Sequence, residues 1–341
     1  MPKNTIILII LVITIFGLFS TQASAASFDC KKAASWLEKT VCSNPELSKL
    51  DEQMAKAYSD AIKSLSPEGQ KETKQYQKQW LKEISYVKAK NDKFYGEHKE
   101  YPASYRNKDI VGDLSGAYEK RIEQLQQSLI KFPGRIFRNV YISHSRAYKT
   151  CPYIYVKTYL TYPQIENPRD ENEKFWNNYI SKIAVDNFKE YDGCQEMDHM
   201  YAVSFSNKHL ISFQGQQFWY TQDLPHGLAQ RSFFNWLLES KRELQASDLF
   251  DDKTGWQKKL TALVAQKVKE KEAASGTTYE IGPGGLMEMV TSPSGEWEIS
   301  KDGLGFRFIE QYWRGPSALI TIGWKTLDPY LSKNGQSLIN D

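Results

Sequence analysis

The sequence is poor in the residues and motifs from which enzymes build reactive centres. Its 341 residues include only five histidines and four cysteines, with no H-E-x-x-H, P-loop or G-x-S-x-G motif. Gly282-Pro283-Gly284-Gly285 opens no predicted helix, so it lacks the context of a phosphate-binding loop. Phe250-Asp251-Asp252 lacks the alternating oxygen ligands of a calcium loop. We therefore expect no catalytic residues, no cofactor and no metal ion, and predict that this protein is not an enzyme.

An excess of charge of one sign is also missing. The chain has 44 basic and 41 acidic residues, a formal net charge of +3. Loss of Lys3 with an N-terminal signal leaves 43 basic against 41 acidic residues, or +2. Because nucleic-acid binding requires a concentrated basic face, we predict no nucleic-acid partner.

The main apolar run of the chain lies near the N-terminus and is too short for a typical membrane span. Ile6–Phe19 is interrupted only by Thr14 and Gly17, whereas a spanning helix needs about 20 apolar residues. Lys3 precedes the run, and Ala23-Ser24-Ala25 follows it as a small-x-small cleavage site. Residues 1–25 are therefore predicted to be a signal peptide, with a retained anchor as the alternative. The mature protein is expected in the periplasm or outside the cell, without a stable membrane span.

The cysteines indicate disulfides. An even number in an exported chain favours two disulfide bonds, and sequence alone allows three pairings. Proximity favours Cys30–Cys42 and Cys151–Cys194.

Hydrophobic periodicity divides the remaining chain into two predicted domains. Residues 26–132 show helical spacing, as in Leu47, Leu50 and Met54, and are typical of an all-α helical bundle. Within them, the polar stretch 91–109 is predicted to be an irregular connection. Phe132-Pro133-Gly134 marks the boundary, since Pro and Gly together stop a helix.

Residues 135–332 are predicted to form an α+β domain with an antiparallel sheet and two helices. Strands are expected over 153–162, 201–206 and 211–220, and helices over 175–188 and 256–268. Asp302-Gly303, between two alternating runs, predicts a hairpin. The chain as a whole is thus predicted to be multidomain.

The candidate binding residues follow a predicted strand. Tyr220 ends an aromatic run, and Leu224-Pro225-His226-Gly227 then places an imidazole at a sheet end. The alternative is a histidine that only hydrogen-bonds its own turn. Asp198, His199 and His209 could meet across a hairpin as metal ligands, but no ligand spacing supports a site, and ordinary strand-end residues are favoured.

An acidic stretch is a second candidate contact. From Glu166 to Asp198 there are nine acidic and four basic residues, a local net charge of −5. Such a run is usually a solvated face, yet it would suit a basic protein partner. Asp186, Glu190 and Asp192 are the candidate contacts.

Two resemblances point to the same biology. Asp29-Cys30-Lys31-Lys32-Ala33, Val41-Cys42, Gln79-Trp80-Leu81 and Tyr118-Glu119-Lys120-Arg121-Ile122 make residues 28–129 resemble the N-terminal domain of the LprI-like lysozyme inhibitor family. Tyr162-Pro163-Gln164-Ile165, Pro225-His226-Gly227 and Gly303-Leu304 make residues 140–331 resemble the envelope module of RsiV-like anti-sigma factors, which sense lysozyme by binding it.

The resemblances imply an exported cell-envelope protein that binds or inhibits lysozyme by blocking its cleft. The expected partner is lysozyme or a peptidoglycan fragment. The alternative is a peptidoglycan- or glycan-binding module without inhibitory activity.

Overall fold

A computed structural model describes residues 26–146, 156–188, 196–220, 227–281, 285–293, 297–310 and 318–340. They form two compact units. The first contains the residues up to Ser64 together with Lys82–Gln126, and the second contains Leu65–Leu81 together with the residues from Gln127 onward. The predicted helical N-terminal part and sheet-containing C-terminal part are confirmed. Leu65–Leu81, however, which the predicted boundary assigns to the helical domain, packs with the sheet-containing unit.

The helices of the N-terminal part begin where local capping chemistry favours them. They are α1 (Trp36–Ser43), α2 (Pro45–Ser64), α3 (Pro67–Ile84), α4 (Tyr86–Glu97) and α5 (Ala103–Gln126). Ser35 and Glu38 form a capping box, in which the Ser35 hydroxyl accepts the Glu38 N–H at 3.1 Å. The Asn44 side chain accepts the N–H groups of Glu46 and Leu47 at 2.9 and 3.1 Å, which confirms the start predicted at Asn44-Pro45.

The first unit is fastened at its N-terminal end. The predicted disulfide Cys30–Cys42 is present. Asp51, only 4% exposed, accepts hydrogen bonds from the Ser27 backbone and hydroxyl and from the Tyr118 hydroxyl. A buried carboxylate is stable only with such partners, so Asp51 holds the segment at Ser27 against the helices.

The prediction of an irregular connection over residues 91–109 is wrong. Helix α4 runs on to Glu97, and α5 already begins at Ala103. Asn91 is buried, and its amide donates to the Val87 carbonyl at 3.0 Å and to the Asp113 carboxylate at 3.1 Å. Because the buried Asn91 amide has hydrogen-bond partners, one of them on the next helix, a helix with little apolar content is stable here.

The second unit is built on a seven-stranded sheet whose order follows the sequence, β1 to β7. The strands are β1 (Leu129–Phe132), β2 (Arg135–Arg146), β3 (Val156–Ile165), β4 (Glu196–Ser206), β5 (Leu210–Tyr220), β6 (Leu228–Leu237) and β7 (Arg242–Glu243). The predicted antiparallel sheet needs correction, because β3 and β4 run parallel. Helix α6 (Glu171–Asn187) forms the crossover that a parallel pair requires.

One face of this sheet carries α6. Trp176 lies edge-on to Phe137 and Phe213, and Tyr179 stacks on Trp236 with ring centroids 3.8 Å apart. Trp176 and Ile180 are fully buried. This apolar layer covers one face of β3 to β6, while on the opposite face Phe233 and Asn235 are also buried.

A smaller sheet completes the second unit. It contains β8 (Tyr279–Glu280), β9 (Glu298–Ser300), β10 (Gly303–Glu310) and β11 (Ala318–Gly323). The helices around it are α7 (Ala246–Leu249), α8 (Trp256–Ser275), α9 (Gly285–Thr291), α10 (Trp324–Leu327) and α11 (Lys333–Asn340). The hairpin predicted at Asp302-Gly303 is confirmed, with Gly303 opposite Ser300. Gly303 has φ +156°, and a Cβ there would lie 2.2 Å from the Ile322 carbonyl oxygen, so only glycine fits.

Helix α3 is held to the large sheet by a buried arginine. Arg138 donates from Nε to Glu72 at 2.9 Å, from Nη1 to Glu166 at 3.0 Å and from Nη2 to Gln164 at 2.6 Å. Burial alone would lower the pKa of Arg138, but the hydrogen bond and charge of Glu72, followed by the charge of Glu166, raise it above its ordinary value. A charge-paired network thus adds to apolar packing at this contact, where Tyr76 stacks on Tyr141 with ring centroids 5.4 Å apart.

Within the described ranges, no helix combines the length and the apolar character needed to cross a membrane.

Candidate functional site

Two rows of side chains cross strands β3 to β6 on the face opposite helix α6. Register places residues in line when they are partners on successive strands, and partners project to the same side of a sheet. The first row is Tyr159, Asp198, Phe218 and Ala229, and the second is Thr161, Met200, Gln216 and Arg231. We call these eight side chains the open rows. At about 4.8 Å between neighbouring strands, each row spans about 14 Å.

None of the eight side chains in the open rows is buried. Asp198, Ala229 and Arg231 are exposed, as is Met200 at 42%. On the reverse face, by contrast, Leu160 and His199 are completely or almost completely inaccessible. Met200 is the one large apolar side chain of the second row, and its flexible thioether can adapt to an apolar partner.

The electrostatics of the open rows are mixed. Burial lowers the pKa of the Arg231 guanidinium and the nearby charge of Arg307 lowers it further, while Glu298 opposes them. Arg307 also pairs with Glu298 at 3.0 Å and lies 5.7 Å from the ring centroid of Phe233. Asp198 supplies the opposite sign in the first row. The open rows can therefore form apolar contacts, amide hydrogen bonds and charge pairs, which are the interactions of a binding surface.

The predicted contact turn begins at the end of the first row. Strand β5 ends at Tyr220 and β6 starts at Leu228, with Trp219 paired to Leu228. The predicted contacts Leu224, Pro225 and His226 lie outside the described residues.

Gly227 lies against a ring of the first row. A Cβ on Gly227 would lie 2.4 Å from Cζ of Phe218, so the Phe218 ring occupies the space that a side chain would need. This close approach gives the glycine of the Pro-His-Gly motif a physical role. It also places Gly227 beside the first row.

The acidic stretch 166–198 does not form one exposed surface. Glu166 is bound to Arg138, while Glu173, 1% exposed, pairs with Arg135 at 2.9 Å and with Arg169 at 2.6 Å. Burial tends to raise the pKa of Glu173, but its hydrogen bonds to Arg169 and the charge of Arg135 bring it below the ordinary value.

Another member of the stretch acts within its own helix. Asp170 caps α6 by accepting the N–H groups of Asn172 and Glu173, both at 2.9 Å. Asp186 is exposed in the last turn of α6, whereas Glu190 and Asp192 lie outside the described residues. The charge that remains for a partner is therefore smaller than the local net charge suggests.

Asp198, His199 and His209, the alternative metal ligands, do not come together. Asp198 and His199 are neighbours on β4 and project to opposite faces, His199 being 2% exposed. The register partner of His199 is Gln217, seven residues along β5 from Leu210, which follows His209; this separation is about 23 Å. In the part of the chain that the structure describes, no three His, Cys, Asp or Glu residues are grouped to hold a metal ion.

His199 instead faces the core. Its ring lies edge-on to Phe188 at 5.8 Å, and neither ring nitrogen has a hydrogen-bond partner among the described residues. Burial lowers the pKa of His199 below its ordinary value of 6.5. The second predicted disulfide, Cys151–Cys194, lies outside the described residues.

Met200, Gln216 and Arg231 were not among the contacts predicted from the sequence. The sequence of β4 contains one sign of this surface, because buried Tyr201 alternates with exposed Met200. Alternation shows that two faces exist, but not which residues of separate strands stand in one row.

No family model matches the chain, and no curated protein matches it significantly. Two solved structures are similar to it. A DUF3298 family member from Bacteroides fragilis is 16% identical with a TM-score of 0.41, over 60% of this chain and 96% of that one. A DUF3298 family protein from Pseudomonas aeruginosa is 11% identical with a TM-score of 0.41, over the same shares of 60% and 96%. At this level of similarity, neither structure informs the function of this chain.

Proposed function

We propose that this protein is exported to the cell envelope, where it binds lysozyme and sterically blocks the cleft that holds the glycan. The observation that carries the proposal is the pair of open rows, with Gly227 packed against Phe218 beside the first row. Their side chains bind by packing and hydrogen bonding, and the mechanism requires no reacting group. The resemblances of residues 28–129 and 140–331 to lysozyme-associated families support lysozyme as the partner.

The open rows have the character of the centre of a protein interface. Met200 supplies an apolar anchor, flanked by the Gln216 amide and by one charge of each sign, Asp198 and Arg231. A stable interface buries about 800 Å² on each partner. Two rows about 14 Å long supply only part of that area, so residues outside the rows are expected to supply the rest.

Charge makes a moderate contribution in this proposal. Animal-type lysozymes are basic, while the mature chain carries +2 and therefore gives no long-range attraction. Asp198 and Asp186 are exposed acidic groups that can act locally. Affinity is thus expected to depend more on the packing of Met200 than on ionic steering.

The test is a muramidase assay with the mature protein and two matched variants. Met200→Arg places a charge in the centre of the open rows, whereas Met287→Arg changes a methionine that is 49% exposed on α9. We expect the first variant to weaken inhibition at least about tenfold and the second to leave it unchanged. Asp198→Asn should weaken inhibition at low salt, with a difference that shrinks as ionic strength rises.

Two results would contradict the proposal. One is no inhibition at micromolar protein, and the other is equal inhibition by both arginine variants. Pull-down by insoluble cell wall without any inhibition would instead favour the glycan-binding alternative.

A further inference from the structure

The helical unit carries an exposed group of aromatic rings that the proposed lysozyme contact does not use. Phe94, Tyr95, His98, Tyr101 and Tyr105 lie at the end of α4, the start of α5 and the segment that joins them. We call them the aromatic cluster. The Phe94 ring is 4.6 Å from His98, 5.1 Å from Tyr95 and 5.9 Å from Tyr101, measured between ring centroids.

Three of these rings are much more exposed than an aromatic ring that packs in a core. Phe94, Tyr101 and Tyr105 are 44%, 46% and 52% exposed, whereas Tyr118 in the core of the same unit is 2% exposed. The rings of Phe94, Tyr95, His98 and Tyr101 contact one another, and a Cβ at the intervening Gly96 would meet nothing within 4 Å. Clustered exposed rings beside open space are typical of a binding site.

Polar groups surround the rings. The Tyr95 hydroxyl donates a hydrogen bond to Asp109, which raises the pKa of Tyr95 to about 12. His98 is paired with Glu100 at 3.1 Å. Both pairs leave oxygen atoms beside the rings that can accept further hydrogen bonds, so the rim of the aromatic cluster is polar while its centre is apolar.

The charge of the segment is balanced. Residues 92–109 contain four acidic residues (Asp92, Glu97, Glu100 and Asp109) and four basic ones (Lys93, Lys99, Arg106 and Lys108). A strongly charged ligand such as a nucleic acid finds no complementary field here. The complement of this surface is a neutral ligand that has an apolar face and hydroxyl groups at its edge.

We propose that the aromatic cluster binds a neutral β-linked glycan, with pyranose rings stacked on Tyr101, Tyr105 and Phe94. The flat face of a β-linked pyranose presents C–H groups to an aromatic ring, and its equatorial hydroxyls reach the polar rim. The rings of Phe94 and Tyr101 lie 5.9 Å apart and are tilted by only 30°, so neighbouring sugar units can contact both. This site lies in the helical unit, so it goes beyond the lysozyme contact proposed for the sheet.

The test is isothermal titration of the mature protein with chitohexaose, together with sedimentation on purified peptidoglycan. Tyr101→Ala and Tyr105→Ala should each weaken chitohexaose binding about three- to tenfold. Tyr101→Phe retains the ring and should retain binding. Phe175→Ala, which removes a ring 43% exposed in the other unit, and Met200→Arg should have no effect. Unchanged melting temperatures would show that the variants are folded.

Three outcomes would overturn the inference. They are no binding of chitohexaose or peptidoglycan at millimolar sugar, binding that both alanine variants retain, and loss of lysozyme inhibition in Tyr101→Ala without any glycan binding. The last result would assign the aromatic cluster to a protein partner. Because Met200→Arg tests the sheet separately, failure of either site can be distinguished from failure of the other.

Discussion

Replacing Arg138 by methionine should destabilise the second unit far more than removing a surface ion pair. The Arg138 side chain is 2% exposed, and that of its partner Glu166 is 3% exposed. Methionine fills much of the same volume but cannot pair with Glu166 or Glu72. Removing one partner of a buried pair leaves an uncompensated charge and costs about 3–5 kcal/mol.

The assay is urea unfolding followed by far-UV circular dichroism and tryptophan fluorescence. Lys174→Met is the control, because Lys174 pairs with Glu171 at 2.8 Å with both side chains largely exposed. Such a pair contributes at most about 1 kcal/mol. Arg138→Met combined with Glu166→Gln should cost less than the sum of the two single changes, since the double variant no longer buries an unpaired carboxylate.

A cost below about 1 kcal/mol for Arg138→Met would refute the reasoning. Strict additivity in the double variant would do the same, because it would mean that the two side chains are not energetically coupled.

Three further predictions concern other parts of the chain. The pKa of His199 is lowered in the folded state, so its contribution to stability is complete above about pH 6.5 and is lost as the pH falls below that value. Below that pH, His199→Phe should reduce the slope of the free energy of unfolding against pH by at most about 1.4 kcal/mol per pH unit. Urea midpoints at several pH values measure this slope. Replacing Cys30 and Cys42 by serine removes a link between residues 12 apart and should cost about 3 kcal/mol relative to the oxidised parent protein, and the reduced parent should be as unstable as the variant. Gly227→Ala should cost about 1–3 kcal/mol by displacing the Phe218 ring, and adding Phe218→Leu should recover most of that loss; no recovery would contradict the contact.

The candidate site was predictable only in outline. The sequence indicated a turn near Gly227 at the end of a strand, and the structure places this glycine against Phe218. It did not indicate Met200 or Arg231, because their alignment depends on the register of three successive strands, β4 to β6. Register follows from pairing and core packing together, and neither can be read from one segment.

Local chemistry determined several elements directly from the sequence. The start of α2 at Asn44-Pro45, the disulfide Cys30–Cys42 and the hairpin at Asp302-Gly303 follow from residues a few positions apart. Caps, short disulfide loops and tight turns involve only neighbours along the chain, so their energetics are present in the sequence itself.

Tertiary structure alone decided how distant charges and strands are used. Glu166 and Glu173 belong to an acidic stretch by sequence, yet Arg138 and Arg135 from another strand draw them into the interior. The parallel pairing of β3 with β4 and the packing of Leu65–Leu81 with the sheet are decided in the same way. The physical reason is that a buried charge or a strand edge is stable only with its partner, and that partner comes from elsewhere in the chain.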